Sequence, residues 1–334
     1  MAPPPPFLLL LALLLLSPAA RSQRRRTPPL SADYYARSCP TFDQIVSRTT
    51  TDKQISSPTT AAGTLRLFFH DCFVSGCDAS ALVSPTRTGG PTEREADINL
   101  SLPGDAFDVV VRAKTELELI CPGVVSCADI LATAARNLVV MAGGPHYNVL
   151  LGRKDSLTSR ASDVKGQLPK PTMTMAQMIQ IFESKGFTVQ EMVALSGAHT
   201  IGFSHCKEFK SNIYNYKGSQ SGFHPAYYPQ FAAGLRRACS NYTKNPDLSV
   251  VNDIMTPHTF DNMYYSNVKK GLGLLSSDLA LSSDPRTRNY VDLYSKNQSA
   301  FFDAFAKAME KLSVYGVKTG RQGEVRRRCD AFNN

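Results

Sequence analysis

Two stretches of this 334-residue chain carry residue types whose spacing suits chemistry. The first runs Arg66-Leu-Phe-Phe-His70-Asp71-Cys72-Phe-Val-Ser-Gly-Cys77-Asp78-Ala-Ser80. Residues 60–70 predict a helix, so Arg66 and His70, four positions apart, project from one face. A permanent cation and a proton-transfer group then share one space, and oxygen ligands follow at once. The second stretch is Val193-Ala-Leu-Ser-Gly197-Ala-His199-Thr200-Ile-Gly202. It ends a helix with a histidine between two glycines, which allow close approach by a flat ligand or by neighbouring backbone. Either histidine alone reads equally well as a core residue, and it is the company each keeps that points to chemistry.

The elements that must position these residues are mostly helical. Across Asp105 to Ile120 the apolar residues Phe107, Val110, Ala113, Leu117 and Ile120 fall three or four apart on one face. Ser126 to Ala142 predicts another helix, stopped by Gly143, Gly144 and Pro145. Thr174 to Lys185 ends at Gly186, and Thr188 with Glu191 forms a capping-box pattern that starts the next helix. Phe301, Phe302, Phe305, Ala308, Met309 and Leu312 make an amphipathic stripe closed by Gly316. With no repeat and no long low-complexity linker, a mainly α globule is expected, led in by Pro-rich residues 27–29.

Residues 7–16 are apolar but too short to span a bilayer, and small residues follow at Ala19, Ala20 and Ser22. This predicts a signal peptide over 1–22, cleaved before Gln23, although its start lacks Lys or Arg and a membrane anchor is the rival reading. No later stretch approaches a membrane span. Cleavage removes one charge, Arg21, and takes the formal charge from +9 to +8. Such basicity suits acidic surroundings, acidic wall polysaccharide among them. No aromatic-interleaved basic patch argues for nucleic acid. Eight cysteines without a Cys-x-x-Cys pair suggest four disulfides in an exported protein, and Cys72 and Cys77 are close enough to staple a short loop. Asn99, Asn241 and Asn297 each begin an N-x-S/T sequon.

The order, spacing and flanks of the two histidine stretches resemble the signatures of the secretory haem peroxidases of plants. The resemblance extends over residues 33–332. It includes Tyr35-Ala-Arg-Ser-Cys39-Pro40, Pro122-Gly-Val-Val-Ser-Cys127-Ala-Asp129, Leu151-Gly-Arg-Lys-Asp155, Leu168-Pro169-x-Pro171 and Phe260-Asp261-Asn262-x-Tyr264-Tyr265. It implies a two-lobed helical fold over residues 23–334 holding haem b between distal and proximal lobes, two calcium ions and four disulfides. The implied pairs are Cys39 with Cys121, Cys72 with Cys77, Cys127 with Cys329, and Cys206 with Cys239.

By the same resemblance, His199 corresponds to the axial iron ligand and Asp278 to its hydrogen-bond partner. A carboxylate accepting the other imidazole proton raises the ligand's basicity and favours breaking an O–O bond. His70 corresponds to the distal base, which takes a proton from hydrogen peroxide and returns it to the departing oxygen, while Arg66 stabilises the negative charge developing there. Asn99 resembles the residue that fixes the tautomer of His70, in which case its sequon is buried. Asp71, Asp78 and Ser80 supply hard oxygens beside His70; the carbonyls of Val74 and Gly76 can complete a calcium shell, with Glu93 reaching it through water. Thr200, Asp253, Thr256, Thr259 and Asp261 resemble the second calcium site. The implied substrates are hydrogen peroxide and small phenolic-type reductants, with Pro169 as a backbone contact, and the protein is expected to be a monomer.

Some positions depart from the family pattern. The chain has no tryptophan, Tyr147 stands where many relatives carry Trp, and Leu102 to Phe107 lengthen the segment after Asn99. These bear on the haem edge and hence on substrate preference. His205 replaces a common Gln, and His146, His224 and His258 match no catalytic position. Two rivals are weaker: a wall protein keeping the fold without turnover, against which the intact Arg66, His70, Asn99, His199 and Asp278 argue, and a zinc hydrolase, for which no His-Glu-x-x-His motif exists. The chain stops five residues after Cys329 without an apolar extension, which favours the cell-wall space over the vacuole.

Overall fold

The computed structural model describes residues 30–86 and 89–333. The expected leader and the Pro-rich lead-in lie outside the described residues. Helices α1 (Phe42–Ser56), α2 (Thr60–Ser75), α3 (Gly104–Ile120) and α4 (Cys127–Met141) pack on one another as one group. After the single turn α5 (Ala161–Val164), α6 (Met175–Ser184) and α7 (Val189–Ser196) lead into a 3₁₀ turn, Gly197–Thr200, that carries His199. Helices α8 (Cys206–Ile213) and α9 (Pro229–Ala238) precede α10 (Met263–Lys269), α11 (Ser276–Ser283), α12 (Arg288–Lys296) and α13 (Gln298–Ser313). Strands β1 (Phe203–His205) and β2 (Ser249–Val251) pair antiparallel, Phe203 opposite Val251. The fold is mainly α, as the periodicity predicts, and no helix among the described residues is long and apolar enough to cross a membrane.

Helix starts follow from local hydrogen bonding. Ser126 Oγ accepts from Asp129 N at 3.2 Å, and the Asp155 carboxylate accepts from Cys127 N and Ala128 N at the head of α4. At α7 the predicted capping box forms: Thr188 Oγ1 accepts from Glu191 N at 3.2 Å, and Glu191 Oε2 accepts from Thr188 N at 2.7 Å. Both bonds satisfy amides that a helix start leaves without partners.

Two helix ends differ from the sequence expectation. Helix α2 runs on to Ser75 rather than stopping near residue 70, so Asp71 and Val74 lie on the helix. Its stop is Gly76, at φ +109, where a Cβ would lie 2.2 Å from the Gly316 carbonyl oxygen. Helix α13 ends at Ser313, three residues before Gly316, which at φ +59 makes the close backbone approach to Gly76.

One continuous core joins the two helical groups, with Phe68, Phe73, Phe187, Phe301 and Phe305 among its fully buried rings. A separate apolar cluster, including Phe209 and Leu235, lies under α8 and α9. The eight cysteines form Cys39–Cys121, Cys72–Cys77, Cys127–Cys329 and Cys206–Cys239, the pairing that the resemblance implies.

Candidate active site

Helix α2 presents Arg66 and His70 one turn apart, and the loop after Glu93 brings Asn99 against His70. Asn99 Nδ2 donates to the Glu93 carbonyl at 2.7 Å, which turns its Oδ1 toward His70 Nδ1, also at 2.7 Å. An acceptor at Nδ1 requires that nitrogen to carry the proton, so Nε2 keeps the lone pair. Burial first, and then the Arg66 charge, push the His70 imidazole down to about 3 against the smaller opposing effect of Asn99. His70 is therefore a neutral base at ordinary pH. Arg66 is tethered by the carbonyls of Ser101 (2.9 Å) and Ile98 (3.1 Å) and by Ser101 Oγ (3.0 Å). Those bonds use three of its five N–H donors and leave two for a ligand.

The 3₁₀ turn holds His199 with Nδ1 at 2.9 Å from Asp278 Oδ1. Burial alone would lower this imidazole, but the charge and hydrogen bond of Asp278 outweigh it and raise His199 above its usual range. With Nδ1 engaged, Nε2 is the nitrogen available to a metal. His199 lies deep among protein atoms, yet 39% of its side-chain surface is accessible; Arg66 is also half-buried at depth. The Arg66 charge bears on both imidazoles. An accessible imidazole with one nitrogen available, together with a neutral base near a cation, fits an iron-bearing haem.

The glycines beside His199 act differently from the expectation of a flat ligand or neighbouring backbone. A Cβ on Gly197 would lie 2.4 Å from Tyr265 Oη and 2.5 Å from Phe301 Cε2, so its neighbours are aromatic side chains. Gly202, at φ +90, faces Ala62 of α2, where a Cβ would lie 2.8 Å from the Ala62 Cβ. These contacts seat the His199 turn on α2 and on the aromatic core.

Beside His70, the Asp71 carboxylate accepts from the amides of Asp78, Ala79 and Ala81. The Asp78 amide is the donor that a continuing helix would offer to the Val74 carbonyl; its turn to Asp71 leaves that carbonyl without its helical donor. Asp78 pairs with Lys318, while Ser80 Oγ and Glu93 Oε2 are buried without partners. Burial, then the charge of Asp78, raises Asp71 to about 7, and burial with Asp71 and Asp78 raises Glu93 to about 8. Mutually destabilised carboxylates beside unpartnered oxygens fit a calcium ion, with Gly76 at the adjoining helix end.

On the other side, Asp253 Oδ1 accepts from Met255 N, Thr256 N and Asn267 Nδ2, while its Oδ2 is buried without a partner. The hydroxyls of Thr200 and Thr256 reach Asp261 Oδ1 at 3.3 and 3.2 Å, and Thr200 Oγ1 is 3.4 Å from the Thr259 carbonyl. The five residues expected at a second calcium site therefore meet next to His199. Among the described residues no three His, Cys, Asp or Glu side chains gather at metal-ligand spacing, and a cation at either cluster would need hydroxyl and carbonyl oxygens as well.

Pro169 is half-buried, in a loop whose Pro171 carbonyl accepts from Ser277 N at 3.1 Å, next to Asp278. The Leu102 to Phe107 segment packs on the distal helix: Pro103 Cγ lies 2.4 Å from where a Cβ on Gly63 would stand, and the Arg94 guanidinium sits 4.0 Å over the Phe107 ring. Tyr147 is buried with its hydroxyl unpartnered. His146 and His258 are exposed; His205 Nδ1 bonds the Asp247 carbonyl, and His224 Nδ1 accepts from Ala226 N. Sequence reasoning assigned no role to Ser101, Ile98 or Lys318, whose contacts are made across the fold. Tyr264, quoted only as part of a motif, donates to Asp278 Oδ1 at 2.8 Å.

Comparison with known proteins agrees with this geometry. Residues 45–297 match the peroxidase family. Peroxidase 31 of Arabidopsis thaliana is 60% identical over 304 residues, covering 91% of this chain and 94% of that protein. Peroxidase 63 and Peroxidase 6 of the same plant are each 60% identical over 91% of this chain, covering 90% and 93% of their own lengths. A match of this extent, joined to two histidines in opposite hydrogen-bonding surroundings, makes this chain a member of the plant peroxidase family, a haem-dependent oxidoreductase that uses hydrogen peroxide to oxidise a reductant.

Proposed function

We propose that this peroxidase binds haem b through His199, with Asp278 as partner of that ligand, and works on peroxide with His70, Arg66 and Asn99. The haem, when bound, supplies the redox chemistry. Asn99 holds His70 in the Nδ1–H tautomer, so Nε2 takes the first proton of hydrogen peroxide and returns it to the departing oxygen, which leaves as water. The two remaining donors of Arg66 stabilise the charge that develops as the O–O bond lengthens. Asp278 draws on the Nδ1 proton of His199 and makes the ligand more electron-rich. The observation that carries this reading is the contrast between the two imidazoles, His70 held at Nδ1 by the Asn99 amide oxygen one helical turn from Arg66, and His199 held at Nδ1 by the Asp278 carboxylate.

Calcium ions at the Asp71, Val74, Gly76, Asp78, Ser80 and Glu93 cluster and at the Thr200, Asp253, Thr256, Thr259 and Asp261 cluster pin the segments carrying the two histidines. Pro169 would contact phenolic-type donors, whose one-electron oxidation the haem would support when bound. The leader, basicity and disulfides support secretion to the wall space as a monomer of residues 23–334. The decisive experiment is the visible spectrum of the purified protein, with peroxide-dependent oxidation of a phenol. An intense Soret band that is lost in His199→Ala is expected. A colourless protein, or full haem retention with an unchanged spectrum in His199→Ala, would overturn the assignment.

A further inference from the structure

We propose that Tyr264 is a positioning residue for the peroxidase reaction: its phenol shares the Asp278 oxygen that His199 uses and thereby sets how much negative charge reaches the iron ligand. This rests on the reading of His199 as that ligand. Asp278 is 4% exposed and accepts three hydrogen bonds: His199 Nδ1 to Oδ1 at 2.9 Å, Tyr264 Oη to Oδ1 at 2.8 Å, and Leu275 N to Oδ2 at 3.3 Å. The phenol and the imidazole therefore compete for one oxygen, and the shorter contact belongs to the phenol. Each donor to a carboxylate oxygen spreads its charge and makes it a weaker acceptor for the other.

Tyr264 is held for this task. It is 2% exposed, its ring packs edge-on to His199 with centroids 6.0 Å apart, and it packs against Tyr265 at 5.1 Å. Its hydroxyl bonds Asp278 and no water can replace that donor without entry to the core. Without the hydroxyl, Asp278 would be less well solvated and would pull harder on the Nδ1 proton, giving His199 more imidazolate character. A more anionic ligand stabilises the oxidised metal. The present arrangement thus moderates the electron push from Asp278.

The test uses the haem-loaded enzyme and reads the ligand directly. Tyr264→Phe keeps the ring and should retain the Soret band. It should shift the equilibrium for reduction of the haem iron toward the oxidised form by up to roughly tenfold, a potential change of up to ~59 mV for a one-electron couple. The iron–histidine stretch of the reduced protein, read by resonance Raman, should rise. Asp278→Asn, which removes the charge, should move both readings the opposite way. A Tyr264→Phe protein with both readings unmoved, while Asp278→Asn moves them, overturns the role of Tyr264 and leaves the ligand assignment standing. If Asp278→Asn moves neither, the ligand reading fails and the proposal falls with it. If Tyr264→Phe does not hold haem, 3-fluorotyrosine at this position, a stronger donor, must raise the potential; no rise overturns the proposal.

Discussion

His70 and His199 carry the same side chain into opposite electrostatic surroundings. His70 is buried beside a cation with only an amide oxygen to help its charged form, whereas His199 meets a carboxylate. His70→Ala should therefore keep the Soret band and slow the peroxide step by about 10² to 10⁴, the usual contribution of a positioned acid–base group. Stopped-flow mixing with peroxide at matched haem content measures this without any reducing substrate, and near wild-type rates would sink the assignment. Because only neutral His70 can accept a proton, the wild-type rate should stay flat through neutral pH and fall only as pH drops toward about 3. Asn99 commits both amide atoms, at 2% exposure, so its sequon has no room for a glycan. Mass mapping of the secreted protein should find glycan at Asn241 or Asn297, both exposed, and none at Asn99.

Helix ends, more than helix middles, place the site. The Gly197–Thr200 turn follows α7 and lies against Tyr265 and Phe301, so Gly197→Ala should overpack the junction and cost about 1–3 kcal/mol. A thermal scan with haem content recorded checks this; an unchanged midpoint would show that the aromatic neighbours yield freely. At the start of α7, Glu191 caps Thr188 and pairs with Lys311 of α13 at 2.7 Å. Burial would raise the Glu191 carboxyl, but Lys311 and Thr188 together outweigh it and hold it below the ordinary glutamate range. A group lowered in the folded state adds stability above its unfolded value of about 4.3, and that stability is lost as pH falls through the folded value. The pair is partly exposed, so the effect is no more than about 1 kcal/mol. Between about pH 6 and about pH 3 the thermal midpoint of the wild type should fall further than that of Glu191→Gln; parallel declines would exclude the contribution.

Across the molecule, the disulfides fasten loops and chain segments to the helices, and Cys72–Cys77 closes the end of the helix that carries His70. Cys127–Cys329 joins the head of α4 to the C-terminal segment over a separation of 202 residues, and Asp155 reinforces that junction by accepting from Arg326 N. A calcium ion at the Asp71 cluster, as proposed, would offset the burial and neighbouring carboxylates that raise Asp71 and Glu93. Exhaustive chelation, verified by metal analysis, should lower the thermal midpoint and slow the peroxide step, and calcium should restore both. Neither quantity changing would remove the calcium role while leaving the haem assignment untouched.

Much of this protein is determined within short windows of sequence. The four-residue step from Arg66 to His70, the apolar stripes of α3 and α13 and the Thr188–Glu191 box depend on backbone periodicity and on bonds between near neighbours, so they can be read without knowing the fold. Even the meeting of Asp71, Asp78 and Ser80 is nearly local. What only tertiary structure decided are contacts between remote segments: Asn99 Oδ1 is aimed at His70 because the Glu93 carbonyl holds its other end, and Arg66 is tethered by the loop at Ile98 and Ser101. His199 and Asp278 lie 79 positions apart, and Tyr264 joins them because α10 brings its hydroxyl to the same carboxylate oxygen of α11 that His199 in the Gly197–Thr200 turn uses. Hydrogen-bond competition and burial are properties of a packed interior, where each donor excludes water from the other, and no periodicity along the chain encodes them.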